Sequence, residues 1–448
     1  MQRRDFLKLP ALVYSGFLLS KAEAAMANND GLSMPSIVDR LLANNDASIN
    51  IMDFGAHSNN DKGFEEFDNR AIIQKVIDKC AEMYALTGTR YTVYIPNGIF
   101  CMSIVQFAKD NNSRNIGAFC LLLRSNIIIS GTGVLQVFPS QYGRGAFFRV
   151  LGNDKNELLK NVDIIDVTID GNVKAQTQGV QASNILLECK KDISIKNIKS
   201  INANGNGIQI RGGVYENEMV ENISISGCYI NYCNKIGIQV AQFDNLIIKD
   251  NEVSNCSDNG IDIYGDLGAG VSSKTNGNNF QIHNNNITGC LNGIFPETVS
   301  NGYVFKNNIN GMVLSGIHLN RIHGLPQNIN VINNVITKSK YGVSVTGDMR
   351  SISIIENDIR DINDSFLSFG SGKGNVSNIN VENNTFYTNK NTKSIVRFDG
   401  EVVSNINIGD NFVKNHENNS IKNNILISHA KKIQYSSVKI KNIKFISY

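Results

Sequence analysis

The sequence predicts an all-β fold, a single-stranded right-handed parallel β-helix (solenoid) with an amphipathic cap helix near its N-terminus. Three observations support this prediction: two repeated strand patterns and one helical segment ahead of them. The pattern Gly-Ile-x-Ile, with conservative variants, returns every 23 to 33 residues from these glycines: Gly207, Gly237, Gly260, Gly293, Gly316 and Gly342. A second pattern, Asn-Ile-x-Ile, runs out of phase with it from these asparagines: Asn222, Asn245, Asn328, Asn378 and Asn405.

Both patterns alternate apolar and polar residues with a period of two, as a half-buried strand does. Strands this short cannot bury a face alone, so a repeat at this interval indicates coils that stack on their neighbours. A solenoid of this kind presents a long outer face. Such a face suits a long polymer as the ligand.

The composition narrows the classes of partner. The 448 residues are 42% apolar, which is enough for one continuous core, and the formal net charge is only +3. A nearly neutral chain has no global attraction to nucleic acid or to membrane surfaces, so neither is an expected partner. Cys233, Cys256 and Cys290 each follow an inward aliphatic residue by three positions, which predicts buried thiols rather than disulfides or a zinc site.

Residues 1–27 have the features of an export signal. Arg3-Arg4 precedes Phe6-Leu7, and the apolar run from Leu9 to Leu19 is too short to span a bilayer. The segment resembles the twin-arginine export motif. The resemblance implies the twin-arginine export machinery as a partner, a periplasmic or secreted location in a bacterium, and no stable membrane anchor.

The rest of the chain divides into a flexible lead-in at 28–48, a cap at 49–100 and, at 101–448, the coils with a C-terminal strand region. The cap includes a helical run from Ala71 to Tyr84. Its predicted apolar face comprises Ile72, Val76, Cys80 and Met83. A helix there would cover the open end of the solenoid, where strand edges and core are otherwise exposed.

Sequence motifs in the cap and first coils resemble the pectate-lyase-like superfamily. They are the "DFGA" turn at Asp53–Ala56, the strand ending Ile95-Pro96-Asn97-Gly98, and the "IDGN" turn at Ile169–Asn172. Asparagine also recurs two positions before an aliphatic residue, which predicts an asparagine ladder in a tight turn. Its predicted members are Asn251, Asn285, Asn333 and Asn357.

Candidate functional residues follow from the alternation, because x of Gly-Ile-x-Ile faces solvent. Parallel strands lie roughly 4.8 Å apart, so outward residues of successive coils form one patch. Its predicted catalytic residues are Asp262, Glu297, His318 and Tyr264. Its predicted substrate-binding residues are Arg211, Gln209, Gln239, Arg321, Asn320 and Asp266, the last at the root of a long loop.

Two chemistries fit this patch. Asp262 and Glu297 would lie about 8 Å apart, which leaves room for the attacking water of a hydrolase. In a uronate lyase or epimerase, His318 or Tyr264 would remove the proton beside a carboxylate, and Arg321 or Arg211 would neutralise that carboxylate. No resident metal or other cofactor is predicted. The alternative is a calcium ion that bridges an acid of the patch to a uronate.

The superfamily resemblance implies that the long strand face carries a polysaccharide groove. Tyr264, His318, Asp262 and Arg321 are similar in type to the catalytic set of mannuronan epimerases, whereas the "NTD", "DD" and "GHG" motifs of polygalacturonases do not occur in order. The architecture is similar to exported β-helix proteins of colanic acid-like exopolysaccharide gene clusters. We therefore expect a lyase or hydrolase, with epimerase as a further option, that cleaves or modifies an acidic polysaccharide. The alternative is a non-catalytic polysaccharide-binding or assembly factor.

Overall fold

The backbone winds into coils that stack along one axis, and each complete coil contributes a strand to each of three parallel sheets. A computed structural model describes residues 47–447. The gaps in this description are 107–117, 142–147, 155–156, 177–181, 214–217, 266–276, 322–325, 371–374, 400–401, 416–422, 428–431 and 434–437. The predicted signal and nearly all of the lead-in lie outside the described residues.

The three sheets are named in the order in which the chain visits them, starting from the Gly-Ile-x-Ile strands. The first sheet contains Val105–Gln106, Ala118–Leu122, Phe148–Gly152, Ile208–Arg211, Ile238–Ala241, Ile261–Tyr264, Ile294–Glu297, Ser315–Asn320, Tyr341–Thr346, Ser365–Phe369, Ser394–Phe398 and Asn423–Ile427. The second contains Ser48–Asn50, Tyr91–Ile95, Ile127–Gly131, Leu159–Ile165, Val220–Ser226, Phe243–Lys249, Gly277–His283, Val299–Phe305, Gln327–Ile332, Met349–Ile355, Asn375–Glu382, Val402–Gly409, Lys432–Ile433 and Val438–Lys441. The third contains Ile99–Met102, Val134–Val137, Thr168–Asp170, Lys199–Ala203, Tyr229–Cys233, Glu252–Cys256, Asn286–Thr288, Asn308–Asn310, Val335–Thr337, Asp358–Arg360, Thr385–Tyr387, Phe412–Asn415 and Lys444–Ser447.

One long strand, Ala182–Lys196, belongs to both the first and the second sheet and joins them. Pairing between coils is parallel, except that Val105–Gln106 runs antiparallel to Ala118–Phe119. Inward aliphatic side chains of all three sheets fill the coil. Ile263, for example, is fully buried, as alternation predicts.

The glycine of Gly-Ile-x-Ile has a packing role. A Cβ atom on Gly260 would lie 2.6 Å from Ile287 Cγ2 of the third sheet and 2.8 Å from the carbonyl oxygen of Gly293 in the next coil. The turn into each first-sheet strand therefore approaches its neighbours too closely for a side chain. The repeated glycine is explained by this contact, and it is not a functional residue.

A buried asparagine ladder fixes the turn between the second and third sheets. Its members are Asn251, Asn285, Asn307, Asn334, Asn357, Asn384 and Asn411. Each side chain before Asn411 bonds to the asparagine of the next coil, and all seven bond to nearby carbonyls, so the turn has its buried polar groups paired. The sequence prediction was wrong at Asn333, which adopts φ 55° beside the true ladder residue Asn334.

The cap contains an 18-residue helix, α1 (Arg70–Thr87), and a short 3₁₀ turn at Ile51–Phe54. The helix buries Ile73 and Ile77 together with three of the predicted residues, Val76, Cys80 and Met83, whereas Ile72 is only half-buried. Gln74 exchanges two hydrogen bonds with the backbone of Leu122, at 2.8 and 2.9 Å, which ties the helix to a first-sheet strand. Among the described residues no helix is long and apolar enough to cross a membrane.

The prediction of buried thiols is confirmed, since all eight cysteines are free and buried. Cys233 and Cys256 are register partners in the third sheet, as the column of thiols requires. The strands Val438–Lys441 and Lys444–Ser447 continue the second and third sheets near the C-terminus, where the sequence pattern is weak.

The ladder predicts a large difference between two neighbouring asparagines. Asn334→Ala removes the acceptor of the buried Asn307 backbone N–H and the donor to the Val304 carbonyl oxygen, so we expect the free energy of unfolding to fall by about 3 kcal/mol. Asn308 makes an exposed side-chain bond, so Asn308→Ala should change it by less than about 0.5 kcal/mol. Urea unfolding of both variants measures the difference, and equal effects would contradict a stabilising ladder.

Candidate functional site

The strand register places the predicted residues in two outward columns of the first sheet. The first column contains Gln209, Gln239, Asp262, Phe295, His318 and Ser344. The second contains Arg211, Ala241, Tyr264, Glu297, Asn320 and Thr346. Asp266 lies outside the described residues. The proximity of the other candidates follows from pairing between coils, while their roles remain predictions.

Asp262 occupies the centre of the first column but is only 5% exposed, so the expectation that it faces solvent was wrong. Its Oδ2 accepts a hydrogen bond from Asn259 Nδ2 at 3.0 Å, and its buried Oδ1 has no partner. Burial raises the pKa of Asp262 to about 8, against the hydrogen bond from Asn259, and the charges of Glu297 and Asp258 add to the rise. The carboxyl group is therefore protonated at neutral pH.

A row of amides that sequence reasoning missed supports Asp262. Asn292 Nδ2 donates to Asn259 Oδ1 at 2.9 Å, and the backbone N–H of Ser315 donates to Asn292 Oδ1 at 3.2 Å. Both asparagines are almost fully buried and directly precede a Gly-Ile-x-Ile glycine. The dipeptide Asn-Gly, at Asn259 and again at Asn292, is the sequence signal that could have identified them.

His318 lies two coils from Asp262, with Phe295 between them. The His318 ring meets the Phe295 ring edge to face, with centroids 4.8 Å apart. Nε2 is 2.8 Å from Thr346 Oγ1, whereas the buried Nδ1 has no hydrogen-bond partner. Burial lowers the pKa of His318 to about 4, so the imidazole is neutral at neutral pH.

Glu297 and Tyr264 are adjacent in the second column. Asn320 Nδ2 donates to Glu297 Oε1, so one predicted binding residue orients a predicted catalytic carboxylate. Glu297 is one coil along and two residues on from Asp262, and its charge raises the pKa of Asp262. The two carboxyl groups are thus electrostatically coupled.

Both predicted arginines pair with carboxylates of the chain itself. Arg211 bonds to the nearly buried Glu188, which Arg149 also approaches at 3.9 Å, and Arg321 bonds to Asp348. Glu188 is the register partner of Arg211, but its strand carries Asn184 in place of the repeated glycine, so the Gly-Ile-x-Ile pattern did not identify it. Asp348 lies between two strands, outside that pattern. Gln239 is also engaged, since its Oε1 accepts from Asn206 Nδ2 at 2.8 Å.

Metal-ligating side chains do not cluster in the described ranges. These ranges contain no group of three or more histidine, cysteine, aspartate or glutamate side chains that could hold a metal ion. The arrangement instead offers a protonated carboxylic acid, a neutral imidazole and a second carboxyl group within three successive coils.

Comparison with known proteins agrees with this architecture. Residues 150–320 match the sequence model of a family described as "Right handed beta helix region". The predicted fold class is confirmed. The chain is a right-handed parallel β-helix.

Three solved structures illustrate the range of proteins that resemble this β-helix. The A-module of a mannuronan C-5 epimerase from Azotobacter vinelandii is 18% identical, with 89% of this chain and 99% of that chain covered and a TM-score of 0.65. A tailspike of E. coli bacteriophage HK620, in complex with a pentasaccharide, is 12% identical over 90% and 81%, with a TM-score of 0.58. PfbA, a surface adhesin of Streptococcus pneumoniae, is 15% identical over 89% and 90%, with a TM-score of 0.53. At these identities the likeness establishes the fold, and the function depends on the side chains that the fold carries.

The pKa of Asp262 predicts a pH-dependent difference in stability. The folded-state pKa of about 8 lies above the ordinary value of about 4, so between these values the folded chain holds a proton that the unfolded chain has lost. This contribution to the free energy of unfolding is complete below pH 4 and is lost as the pH rises to 8, by up to about 1.4 kcal/mol per pH unit.

Asp262→Asn removes this titration and keeps the shape of the side chain. Urea unfolding from about pH 4 to pH 8 should show the variant gaining stability relative to wild type as the pH rises. Parallel curves for the two proteins would mean that Asp262 ionises normally and would contradict the buried acid.

Proposed function

We propose that this β-helix binds an acidic polysaccharide along its first sheet and modifies it by acid–base chemistry between Asp262 and His318. One observation carries the proposal: a protonated carboxyl group and a neutral imidazole lie in one outward column, each with a buried polar atom that has no partner. Buried unpaired polar atoms are unfavourable unless a ligand satisfies them. Perturbed pKa values in such a setting are typical of catalytic groups.

The direction of the columns favours a polymer as the substrate. Arg211 lies two coils before Tyr264, and Arg321 directly follows Asn320, two coils after it. At roughly 4.8 Å per coil, a cation therefore lies about 10 Å to either side of the centre of the patch. A chain of uronate sugars bound along the helix axis would meet a guanidinium group at each end of the reacting segment. Its carboxylates would replace Glu188 or Asp348 as the partners of Arg211 and Arg321.

In an elimination, His318 would take the proton beside the uronate carboxylate. The electron pair left behind would form the new double bond, the glycosidic C–O bond would break, and Asp262 would protonate the departing oxygen. In an epimerisation, Asp262 would deliver a different proton to the same carbon from the opposite face, and the glycosidic bond would stay intact. A bound uronate charge beside the buried imidazole would raise the pKa of His318 and make it a stronger base. Tyr264 is the alternative base on the same patch.

Hydrolysis is a second candidate, favoured by the coupling of Asp262 to Glu297. A carboxyl group with a raised pKa beside a second carboxyl group is the arrangement of a glycosidase acid and base. Asp262 would protonate the leaving oxygen, and Glu297 would accept a proton from the attacking water. A non-catalytic binding or assembly role is the alternative of another class, and the existing ion pairs of Arg211 and Arg321 favour it.

Export through the twin-arginine route to the periplasm or the medium is part of the proposal, supported by Arg3-Arg4 ahead of a short apolar run. Replacing both arginines by lysine should leave unprocessed protein in the cytoplasm of the producing cell. Normal processing and export of that variant, measured by fractionation, would contradict this route.

The reaction can be identified by mass spectrometry of acidic polysaccharides incubated with the mature protein in D₂O. Elimination yields oligosaccharides lighter by one water than hydrolytic products, while epimerisation leaves the polymer length unchanged and incorporates deuterium. We expect Asp262→Asn and His318→Ala each to lower turnover by about 100-fold or more.

His283→Ala is the matched control, because His283 lies on the outer side of the second sheet and stacks on Phe305 at 4.6 Å. It should keep wild-type turnover. Full activity of the Asp262 and His318 variants would exclude the site. Unchanged, undeuterated polymer across a broad panel would contradict catalysis and favour the binding role.

A further inference from the structure

A second surface of the solenoid forms a groove away from the columns of the first sheet. The groove has a volume of about 810 Å³ and lies over the third sheet and the turns that follow it. Its lining includes Lys174, Tyr232, Asn234, Asn255 and Ser257. Amide and hydroxyl groups of neighbouring coils therefore line one open depression.

Tyr232 is the unusual residue of this groove. It is 51% exposed and adopts φ 56°, a left-handed conformation that is unfavourable for a bulky side chain. Its register partners in the coils on either side, Asn202 and Asn255, adopt the same conformation, and Gly289 occupies the position in the next coil. Asparagine and glycine tolerate this backbone best. Lys338 and Asp361 adopt it in later coils of the same column, and Tyr232 is the aromatic residue that does so.

An exposed ring in a strained position, beside a groove, indicates a role outside folding. The tyrosine adds an apolar ring face and a hydroxyl group to an otherwise polar surface. A sugar ring can stack its C–H face on the aromatic ring and form a hydrogen bond with the hydroxyl group. Asn234 and Asn255 are exposed beside it and provide amides for sugar hydroxyl groups.

The charge of the groove indicates an anionic ligand. Lys174 Nζ lies 5.6 Å from the centre of the Tyr232 ring. Among the lining residues, all of which the structure describes, Lys174 is the charged side chain, and no carboxylate opposes it. A sugar stacked on Tyr232 would hold an acidic substituent beside this ammonium group.

We infer that this groove is a second glycan-binding site, which takes a short stretch of an acidic oligosaccharide with Tyr232 as the stacking platform and Lys174 as the anion partner. The site is built from residues that take no part in the proposed chemistry at Asp262 and His318. It would hold a polymer on the protein between reaction events, and it would bind glycan even in a protein without catalytic activity.

The test is isothermal titration calorimetry of trigalacturonate and trimannuronate, with maltotriose as the neutral probe. The parent protein is Asp262→Asn, so that turnover does not consume the ligand. Tyr232→Asn installs the residue that both neighbouring coils carry and removes the ring. It should eliminate one binding event per chain or weaken affinity for an acidic trisaccharide about tenfold, with an unchanged or higher thermal midpoint. Lys174→Gln should weaken the binding of the acidic probes and leave the binding of maltotriose unchanged.

Tyr303→Asn is the matched control, since Tyr303 is similarly exposed at 48% but lies on the second sheet outside the groove. Arg321→Gln distinguishes binding at the two sites, because it should weaken binding at the first sheet only. If binding is lost with Arg321→Gln and unchanged with Tyr232→Asn, the groove proposal is overturned and the first-sheet proposal stands. The reverse result supports the groove and contradicts the first sheet. Absence of binding by the parent protein to either acidic probe overturns the groove proposal.

Discussion

The structure depends on one constraint, the parallel stacking of coils at a fixed rise. Backbone pairing sets the position of every outward side chain relative to the coil above, and the buried asparagine ladder holds the turn that would otherwise leave backbone groups unpaired. Because the rise is fixed, residues distant in sequence form regular columns. Asp262, Phe295 and His318 are neighbours for this reason alone.

The candidate site contains two ionisable side chains that are shielded from water. Exposed strand faces are ordinarily polar and hydrated, whereas Asp262 is buried and His318 is half-buried. Burial raises the pKa of Asp262 and lowers the pKa of His318. Shielding from water favours the neutral form of each group, so a protonated carboxylic acid lies near a neutral imidazole. The fold alone does not require such a pair, since proteins as different as an epimerase, a tailspike and an adhesin have similar backbones.

The sequence period predicts the backbone path and the side of the sheet on which each residue lies. It predicts few of the contacts that side chains make with one another. The two outward columns follow from alternation and register, so the neighbours of Asp262 could be identified from sequence. The ion pairs of Arg211 and Arg321 were missed, because the strand of Glu188 lacks the repeated glycine and Asp348 lies between two strands. The burial of Asp262 was also missed, since alternation assigns a side but not an accessibility. At Asn333 and Asn334 a one-residue difference in the turn decided which amide entered the ladder.

The most direct measurement is the infrared difference spectrum between wild-type protein and Asp262→Asn, recorded at about pH 6 and about pH 10, on either side of the pKa of about 8. A buried acid with this pKa should give the carbonyl band of a protonated carboxylic acid at the lower pH. This band should be absent from the variant and should disappear at the higher pH. A carboxylate band at both pH values would show that Asp262 is ionised throughout, and the proposed general acid would then be wrong.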